Sequence, residues 1–253
     1  MTSSRSRSAT SKLSTRAPGL VAFVSFVALT GCLADQSGNV TTGAQVPPPA
    51  IAVEADPGAI SGAADRSADG ASDIDSVVMI GDSITKGATP NLDERYGLLG
   101  LDHQIEAENG KRMAVSSRDN PSGASISEFL AASGDSDHSD EVWVVALGTN
   151  DIGQYGGPDD IAAAVNEILA AVPDDAALVW VDTFISGRPD DTEAVNSIIR
   201  DRVALRGDSV VAPWSAFSEG DGVLSSDGVH PTTNGADVFA FVVTDTVRAF
   251  LDR

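Results

Sequence analysis

Beyond residue 75, apolar residues occur both in short unbroken runs and in longer stretches with helical spacing. The unbroken runs are rich in β-branched residues and do not alternate with polar ones, which is typical of strands covered on both faces. A weaker candidate strand lies near residues 104–108. The four clear runs are SVVMI (76–80), EVWVVAL (141–147), AALVWV (176–181) and DSVVAP (208–213).

Helical periodicity separates these runs. The segment PDDIAAAVNEILAAV (158–172) opens with a proline and two acidic residues and then repeats apolar residues at helical spacing. Residues 192–205 and 236–251 show a similar pattern. Because strands and helices alternate with short connections, we predict a three-layer α/β/α sandwich with a largely parallel five-stranded sheet. We expect this domain to cover residues 76–253.

The chain before residue 76 has a different composition. Residues 33–75 are rich in Ala, Gly, Ser, Asp and Pro without a sustained apolar period, which predicts a disordered tether. Residues 1–31 carry four basic residues, no acidic ones and a terminal apolar run too short for a comfortable membrane span. We therefore predict a signal peptide at 1–31 and a tether at 32–75.

Cys32 is the single cysteine of the chain, so no intramolecular disulfide can form. The residues around it, LTGC (29–32), resemble a bacterial lipobox. In proteins with that motif the signal is cut before the cysteine, whose thiol is then lipidated. The resemblance implies an extracytoplasmic protein anchored to the bacterial cell membrane through Cys32, since two or three acyl chains give stable anchoring.

The composition is that of an ordinary globular protein, 42% hydrophobic and 21% charged, but the net charge is −21. Removing residues 1–31 takes four of the 16 basic residues and none of the 37 acidic ones, which changes the charge to −25. Such an acidic body repels phosphate backbones, so we expect no nucleic-acid partner. We also expect a monomer.

Polar segments follow three of the predicted strands. They are GDSIT (81–85), ENGKR (108–112) and GTND (148–151), and a fourth segment, DGVHP (227–231), precedes the last helix. Taken alone, the first reads as a helix cap and the fourth as a turn. Because sites form at the carboxyl ends of parallel strands, the segments can meet. Together they contain the nucleophile, base, carboxylate and oxyanion donors that acyl transfer needs.

In this combination and order, the segments resemble the sequence blocks of the SGNH/GDSL hydrolase superfamily, over about residues 77–253. The resemblance implies a flavodoxin-like SGNH hydrolase fold and a serine esterase that needs no metal or organic cofactor. It implies that Ser83 is the nucleophile, that His230 is the base and that Asp227 orients His230. An Asp-x-x-His pair before a helix agrees with this, since one loop can place the carboxylate on the far imidazole nitrogen.

The same resemblance implies an oxyanion hole built from the Asn150 side-chain amide and the backbone N–H groups of Ser83 and Gly110. Gly110 is assigned through a glycine after the predicted second strand, because ENGKR matches its block in no other residue. The expected substrate is a small-molecule or glycan ester, such as an O-acetyl group on a carbohydrate or cell-envelope molecule.

Two other functions use the same residues or the same cleft. An O-acyltransferase would pass the acyl group to a sugar hydroxyl, and a non-catalytic module would bind cell-wall glycan. The combination of Ser, Asn, Asp and His favours an enzyme over a binding module. A P-loop is disfavoured because Lys86 precedes Gly87 in GDSITKG, and the absence of G-x-S-x-G around Ser83 argues against the usual α/β-hydrolase fold.

Four further residues are candidate substrate contacts. Lys86, Lys111 and Arg112 lie in or beside the motif segments and could form a positive collar that favours an anionic substrate; the alternative is three solvated side chains at a loop rim. Tyr155 could line the mouth of the site or pack on its own loop. We expect specificity to lie in loops 88–101, 111–125 and 154–158.

We also expect His103 and His138 at the surface, and the tryptophans Trp143, Trp180 and Trp214 in the core.

Overall fold

The chain forms a five-stranded parallel sheet in a computed structural model that describes residues 74–134 and 137–252. The strands are β1 (Ser76–Gly81), β2 (Asp102–Ala107), β3 (Glu141–Ala146), β4 (Ala177–Val181) and β5 (Ser209–Ala212). Their order across the sheet is β2-β1-β3-β4-β5. This confirms the predicted sheet, with the weak second strand displaced towards the N-terminus.

Helices cover both faces of the sheet. They are α1 (Ser83–Leu99), α2 (Gly123–Ser133), α3 (Pro158–Ala171), α4 (Pro189–Val203), α5 (Trp214–Ser218) and α6 (Thr233–Leu251), with a short 3₁₀ turn at Thr149–Asp151. One apolar cluster joins α1 and α6 to the sheet, and a second joins α2, α3 and α4 to the opposite face. The three-layer α/β/α sandwich is therefore confirmed.

The order in which strands are added reverses between β1 and β3, because the chain places β2 on one side of β1 and then β3 on the other side. In open parallel sheets ligands bind outside the carboxyl ends of the strands at such a point. GDSIT follows β1 and GTND follows β3. The fold therefore brings these two segments together.

Helix α1 corrects one prediction. Residues 88–99, expected as a loop, continue this helix although Gly87, Pro90 and Gly97 are poor helix formers. The helix is fixed instead by a buried stripe on the sheet, formed by Ile84, Ala88, Leu92 and Tyr96. Helix α2 was not predicted because its buried residues are the small Gly123, Ala124 and Ser127, which give no apolar period.

The tryptophans lie in the core as predicted, each 1% exposed or less. His103 is exposed, as expected. The prediction for His138 is wrong, because this side chain is buried, with Nδ1 2.9 Å from Glu141 Oε2 and its ring edge against Trp143. The signal peptide, Cys32 and almost all of the tether lie outside the described residues. No helix in the described part of the chain is long and apolar enough to cross a membrane.

Candidate active site

Ser83 is the first residue of α1, directly after the turn that ends β1. The cap of this helix is the preceding residue, since the Asp82 carboxylate accepts a hydrogen bond from Ile84 N at 2.9 Å. A side chain at Gly81 would overlap Thr85, with its Cβ 2.1 Å from Thr85 Oγ1, so the turn requires glycine. Because Asp82 provides the cap, the Ser83 hydroxyl is left free to make other contacts.

The Ser83 hydroxyl contacts the predicted base. Ser83 Oγ lies 2.9 Å from His230 Nε2, and His230 Nδ1 lies 2.8 Å from Asp227 Oδ2. The sequence separation between Ser83 and His230 is 147 residues, so only the fold makes this contact. The structure therefore places the three residues in the linear order that the sequence predicts.

Asp227 is fixed as an ionised carboxylate. Its Oδ1 accepts hydrogen bonds from Ser225 Oγ, Val229 N and His230 N at 2.8–2.9 Å. The hydrogen bond to the His230 side chain, followed by those to the backbone amides, lowers the pKa of Asp227 far below its ordinary value. An ionised carboxylate opposite Nδ1 favours a proton on that nitrogen and leaves the Nε2 lone pair facing Ser83.

An open pocket of about 570 Å³ adjoins this group of side chains. The backbone of Gly110 reaches the pocket with a left-handed φ of 71°, which glycine adopts without strain. Within the described residues, no group accepts a hydrogen bond from the backbone N–H of Ser83 or Gly110. The pocket is lined by Ser83, Lys86, Gly87, Asn109, Gly110, Asn150 and His230.

The Asn150 side chain reaches the same pocket, and its orientation is set by two acceptors. Asn150 Nδ2 donates to Asp82 Oδ2 at 3.0 Å and to the Lys111 carbonyl at 3.2 Å. Both amide hydrogens are thereby engaged, so an oxyanion must replace one of these acceptors. The longer bond to Lys111 O is the weaker and is the one we expect to be replaced.

Asp82 was not predicted as a site residue, because a carboxylate between strand and helix reads as a simple cap. It is 1% exposed and accepts bonds from both Ile84 N and Asn150 Nδ2. Burial raises its pKa to about 7, against the smaller opposing effects of the Ile84 amide and of His230. Asp82 therefore links the helix that carries Ser83 to the orientation of Asn150.

A second buried carboxylate, Asp151, joins the segment that contains Gly110 to the turn that contains Asn150. Its Oδ1 accepts from Arg112 Nε at 3.0 Å and from the Tyr155 hydroxyl at 2.8 Å, and its Oδ2 accepts from Met113 N at 3.0 Å. The Arg112 guanidinium also lies over the Tyr155 ring, 5.1 Å from its centroid. We call Asp151, Arg112, Met113 and Tyr155 the Asp151 cluster.

The Asp151 cluster changes the interpretation of two predicted substrate contacts. The functional groups of Arg112 and Tyr155 point to Asp151, and neither residue lines the pocket. Tyr155 therefore packs on its own loop, which was the alternative that the sequence left open. The two side chains act on the site through the position of the 108–113 segment.

Lys111 contradicts both of the arrangements expected for it. It is 3% exposed, and its ammonium donates to Asn120 Oδ1 at 3.2 Å and to the Pro121 carbonyl at 3.0 Å. Desolvation lowers its pKa. Lys111 is therefore neither part of a positive collar nor a solvated rim residue, and Lys86 is the one predicted contact that reaches the pocket.

Residues 79–238 match the family model described as GDSL-like Lipase/Acylhydrolase family. No match was found among curated proteins. Within the described residues, no group of three or more His, Cys, Asp or Glu side chains is placed to hold a metal ion.

Solved structures share the fold at low identity. The C-terminal catalytic domain of Streptococcus pneumoniae peptidoglycan O-acetyltransferase A is 17% identical, with a TM-score of 0.53 over 71% of this chain and 96% of that one. A carbohydrate esterase family 3 protein from Talaromyces cellulolyticus is 20% identical, with a TM-score of 0.54 over 70% and 98%. A lipolytic G-D-S-L protein from Veillonella parvula is 16% identical, with a TM-score of 0.56 over 68% and 98%.

Proposed function

The chain belongs to the GDSL-like lipase/acylhydrolase family, and from that premise we propose that it hydrolyses short acyl esters of sugar hydroxyls through Ser83, His230 and Asp227. Membership makes it a serine hydrolase of carboxylic esters. The identity of the catalytic residues, the length of the acyl group and the nature of the alcohol are what we propose.

The observation that carries the catalytic assignment is the hydrogen-bonded line from Ser83 Oγ through the His230 ring to Asp227, with contacts of 2.9 and 2.8 Å. As Ser83 Oγ attacks the ester carbonyl, its proton passes to His230 Nε2. The alcohol then leaves with that proton, and an acyl group remains on Ser83. Water attacks this acyl-enzyme by the same proton transfers in reverse, which releases the acid and restores the hydroxyl.

The oxyanion of each tetrahedral intermediate forms beside three donors, two of which are unpaired backbone N–H groups. The backbone N–H groups of Ser83 and Gly110 are free of described acceptors, and Asn150 Nδ2 lies beside them in the pocket lining. The backbone holds the first two donors in place, and Asn150 Nδ2, oriented by Asp82, becomes the third donor when the oxyanion replaces the Lys111 carbonyl. This supports the three-donor oxyanion hole.

The pocket composition supports a short acyl group. Its lining consists of glycines and of Ser, Lys, Asn and His residues, without a Leu, Ile, Val, Met, Phe, Tyr or Trp side chain. A long acyl chain gains about 0.8 kcal/mol per buried CH₂ only where apolar surface receives it. An acetyl group needs no such surface, and the hydroxyl groups of a sugar can bond to the Lys86 and Asn109 side chains of the lining.

We propose that the enzyme works outside the cytoplasmic membrane, anchored through a lipidated Cys32. The support is the LTGC segment after a basic, then apolar, N-terminus. Two of the structural neighbours are named for peptidoglycan and carbohydrate chemistry, which agrees with a glycan ester as substrate. Transfer of the acyl group to a sugar hydroxyl is the rival outcome, since it uses the same acyl-enzyme.

The test uses the purified full-length protein in detergent and a series of p-nitrophenyl esters from acetate to octanoate, followed by O-acetylated sugars. We expect kcat/KM to fall with acyl length, and Ser83→Ala and His230→Ala each to remove nearly all activity. Ser133→Ala and His103→Ala are matched controls, because both residues are exposed and outside the pocket. Full activity in Ser83→Ala would refute the assignment, and acyl-sugar products formed from an added acceptor would favour the transferase.

A further inference from the structure

An exposed ion pair lies at the edge of the pocket. Lys86 lies one helical turn after Ser83 on α1 and lines the pocket, and its Nζ is 2.8 Å from Oε1 of Glu108, the residue that follows β2. Both side chains are about half exposed, at 46% and 49%. An exposed pair of this kind contributes little to stability, so stability gives little reason for its position.

The pair has unused hydrogen-bonding capacity. Glu108 Oε1 accepts from both Lys86 Nζ and Asn109 N, the latter at 3.0 Å, whereas Oε2 has no described donor. The hydrogen bond from Lys86 lowers the pKa of Glu108 and keeps it ionised. An ammonium carries three hydrogens, and one of those of Lys86 is used here. A ligand in the pocket can therefore meet charged donors and a charged acceptor side by side.

We propose that Lys86 and Glu108 form a subsite that binds neighbouring hydroxyl groups of a neutral sugar, the alcohol part of the ester. Glu108 Oε2 accepts a hydrogen bond from one sugar hydroxyl, and Lys86 Nζ donates to the oxygen of the next. Such charge-assisted bonds are about twice as strong as neutral ones. The assignment rests on the proposed function, because it places the acyl group of the same sugar at Ser83.

The shape of the pocket admits a ring beside the pair. A Cβ added at Gly87 or Gly110 would meet no atom within 4 Å, so at these two positions the pocket is lined by backbone with empty space beside it. Lys86 follows Ser83 by three positions in the helix, which is a spacing of side chains on one helix face. Lys86 and the nucleophile therefore face the same space, and Glu108 adjoins that space through its contact with Lys86.

The charges of the site favour a neutral sugar over an anionic one. Each basic residue of the predicted collar has a partner: Lys86 has Glu108, Arg112 has Asp151, and Lys111 is held by Asn120 and Pro121. The chain also has a net charge of −21. A carboxylate on the sugar would meet the Glu108 carboxylate at short range, so the anionic preference that a positive collar would give is replaced here by a neutral one.

The experiment compares two acetyl esters in the full-length enzyme: a mono-O-acetylated methyl xylopyranoside, which has free hydroxyls beside the ester, and ethyl acetate, which has none. The variants are Lys86→Met and Glu108→Gln, with Glu106→Gln as matched control because it is exposed and lies on the same strand end. We expect the ratio of kcat/KM for the sugar ester to that for ethyl acetate to fall about tenfold in each variant, mainly through KM. The control should keep the wild-type ratio.

Three other kinetic outcomes count against the subsite, and one counts against the proposed function instead. An unchanged ratio would show that the pair does not bind the alcohol, and an equal fall on both esters would show that it supports the catalytic geometry alone. A wild-type preference for an O-acetylated uronate that Lys86→Met abolishes would make Lys86 a carboxylate receptor instead. If the wild type cleaves neither ester, the proposed function has failed. Weaker binding of unacetylated methyl xyloside by Glu108→Gln than by Ser83→Ala, measured by NMR titration, then still supports the subsite, and equal binding refutes it.

Discussion

Replacing Asp227 with asparagine tests how the base is prepared. The asparagine Oδ1 can keep the three bonds from Ser225 Oγ, Val229 N and His230 N. Its Nδ2 then replaces Oδ2 opposite His230 Nδ1, where a donor now faces a donor. The imidazole avoids this conflict by moving its proton to Nε2, and Nε2 then has no lone pair for the Ser83 proton.

The size of the effect follows from this change of tautomer. A similar substitution in a buried serine-protease triad lowers kcat about 10⁴-fold. Asp227 and His230 are about half exposed here, at 51% and 49%, so water can compete for Nδ1 and part of the population keeps the productive tautomer. We therefore expect a loss of about 10³-fold in kcat, or about 4 kcal/mol in activation free energy.

The assay pairs steady-state hydrolysis of p-nitrophenyl acetate with thermal unfolding of Asp227→Asn and Asp227→Ala. Asparagine should leave Tm nearly unchanged because the loop bonds remain, whereas alanine removes them and should lower Tm by several degrees. Alanine forces no tautomer, so it should keep more activity than asparagine. Asp221→Asn, exposed in the same loop region, is the control. An asparagine variant that retains a tenth of wild-type kcat would refute the tautomer argument.

Further predictions concern the oxyanion donor, the pH responses and the anchor. Asn150→Ala should lower kcat about 10²–10³-fold in steady-state assays, and a loss below tenfold would remove it from the oxyanion hole. Wild-type kcat/KM should fall on the acid side as His230 takes up a proton, and a pH–rate profile that stays flat there with the fold intact would contradict its role as base. Because burial raises the pKa of Asp82 from 3.8 to about 7, the folded state binds a proton more tightly than the unfolded state, so the free energy of unfolding should fall as pH rises across that range. Burial also raises the pKa of Asp182, to about 6, so Asp182 changes the free energy of unfolding in the same direction. The difference in free energy of unfolding between wild type and Asp82→Asn isolates Asp82, and chemical denaturation should show that it changes by a few kcal/mol with pH. A difference that is independent of pH would contradict this. Cys32→Ala should abolish labelling by a fatty-acid probe and release the protein from the membrane fraction, whereas unlabelled wild type would refute the anchor.

The sequence predicts the elements whose signal is local. The β-branched runs give the strands because both faces of a central sheet are buried. The Asp227–His230 contact is implied by the family resemblance, and the DGVHP spacing agrees with it because one loop can hold both residues. Helix α1 was missed beyond residue 87 because its glycines and proline have low helix propensity. The buried residues that stabilise this helix do so by packing on the sheet, and that packing cannot be read from the local sequence.

The remaining site residues depend on distant partners. Asp82 and Asp151 look like caps or solvated acids until the fold brings them Asn150 Nδ2 and Met113 N. Lys111 is predicted at a rim because lysine is seldom buried, and it is buried here because Asn120 and the Pro121 carbonyl satisfy its ammonium. Such contacts join segments whose relative positions no local pattern encodes.

The Asp151 cluster joins the Gly110 segment to the Asn150 turn through hydrogen bonds to a buried carboxylate, whereas the His230 loop is held by hydrogen bonds that are more exposed to solvent. That loop is joined to its neighbours by the Leu224–Pro231 bridge and by the bonds from Ser186 N to the Gly228 carbonyl and from Thr232 N to the Val223 carbonyl, both 2.8 Å, while the Val229 and His230 amides donate to the half-exposed Asp227 carboxylate. Amide hydrogen exchange should therefore be slow at Met113 and much faster at Val229 and His230, through local openings that leave the sheet folded. As the denaturant concentration rises, activity should be lost before the fluorescence of the core tryptophans changes. The reason is that His230 moves away from Ser83 while the sheet and helix α1 remain folded.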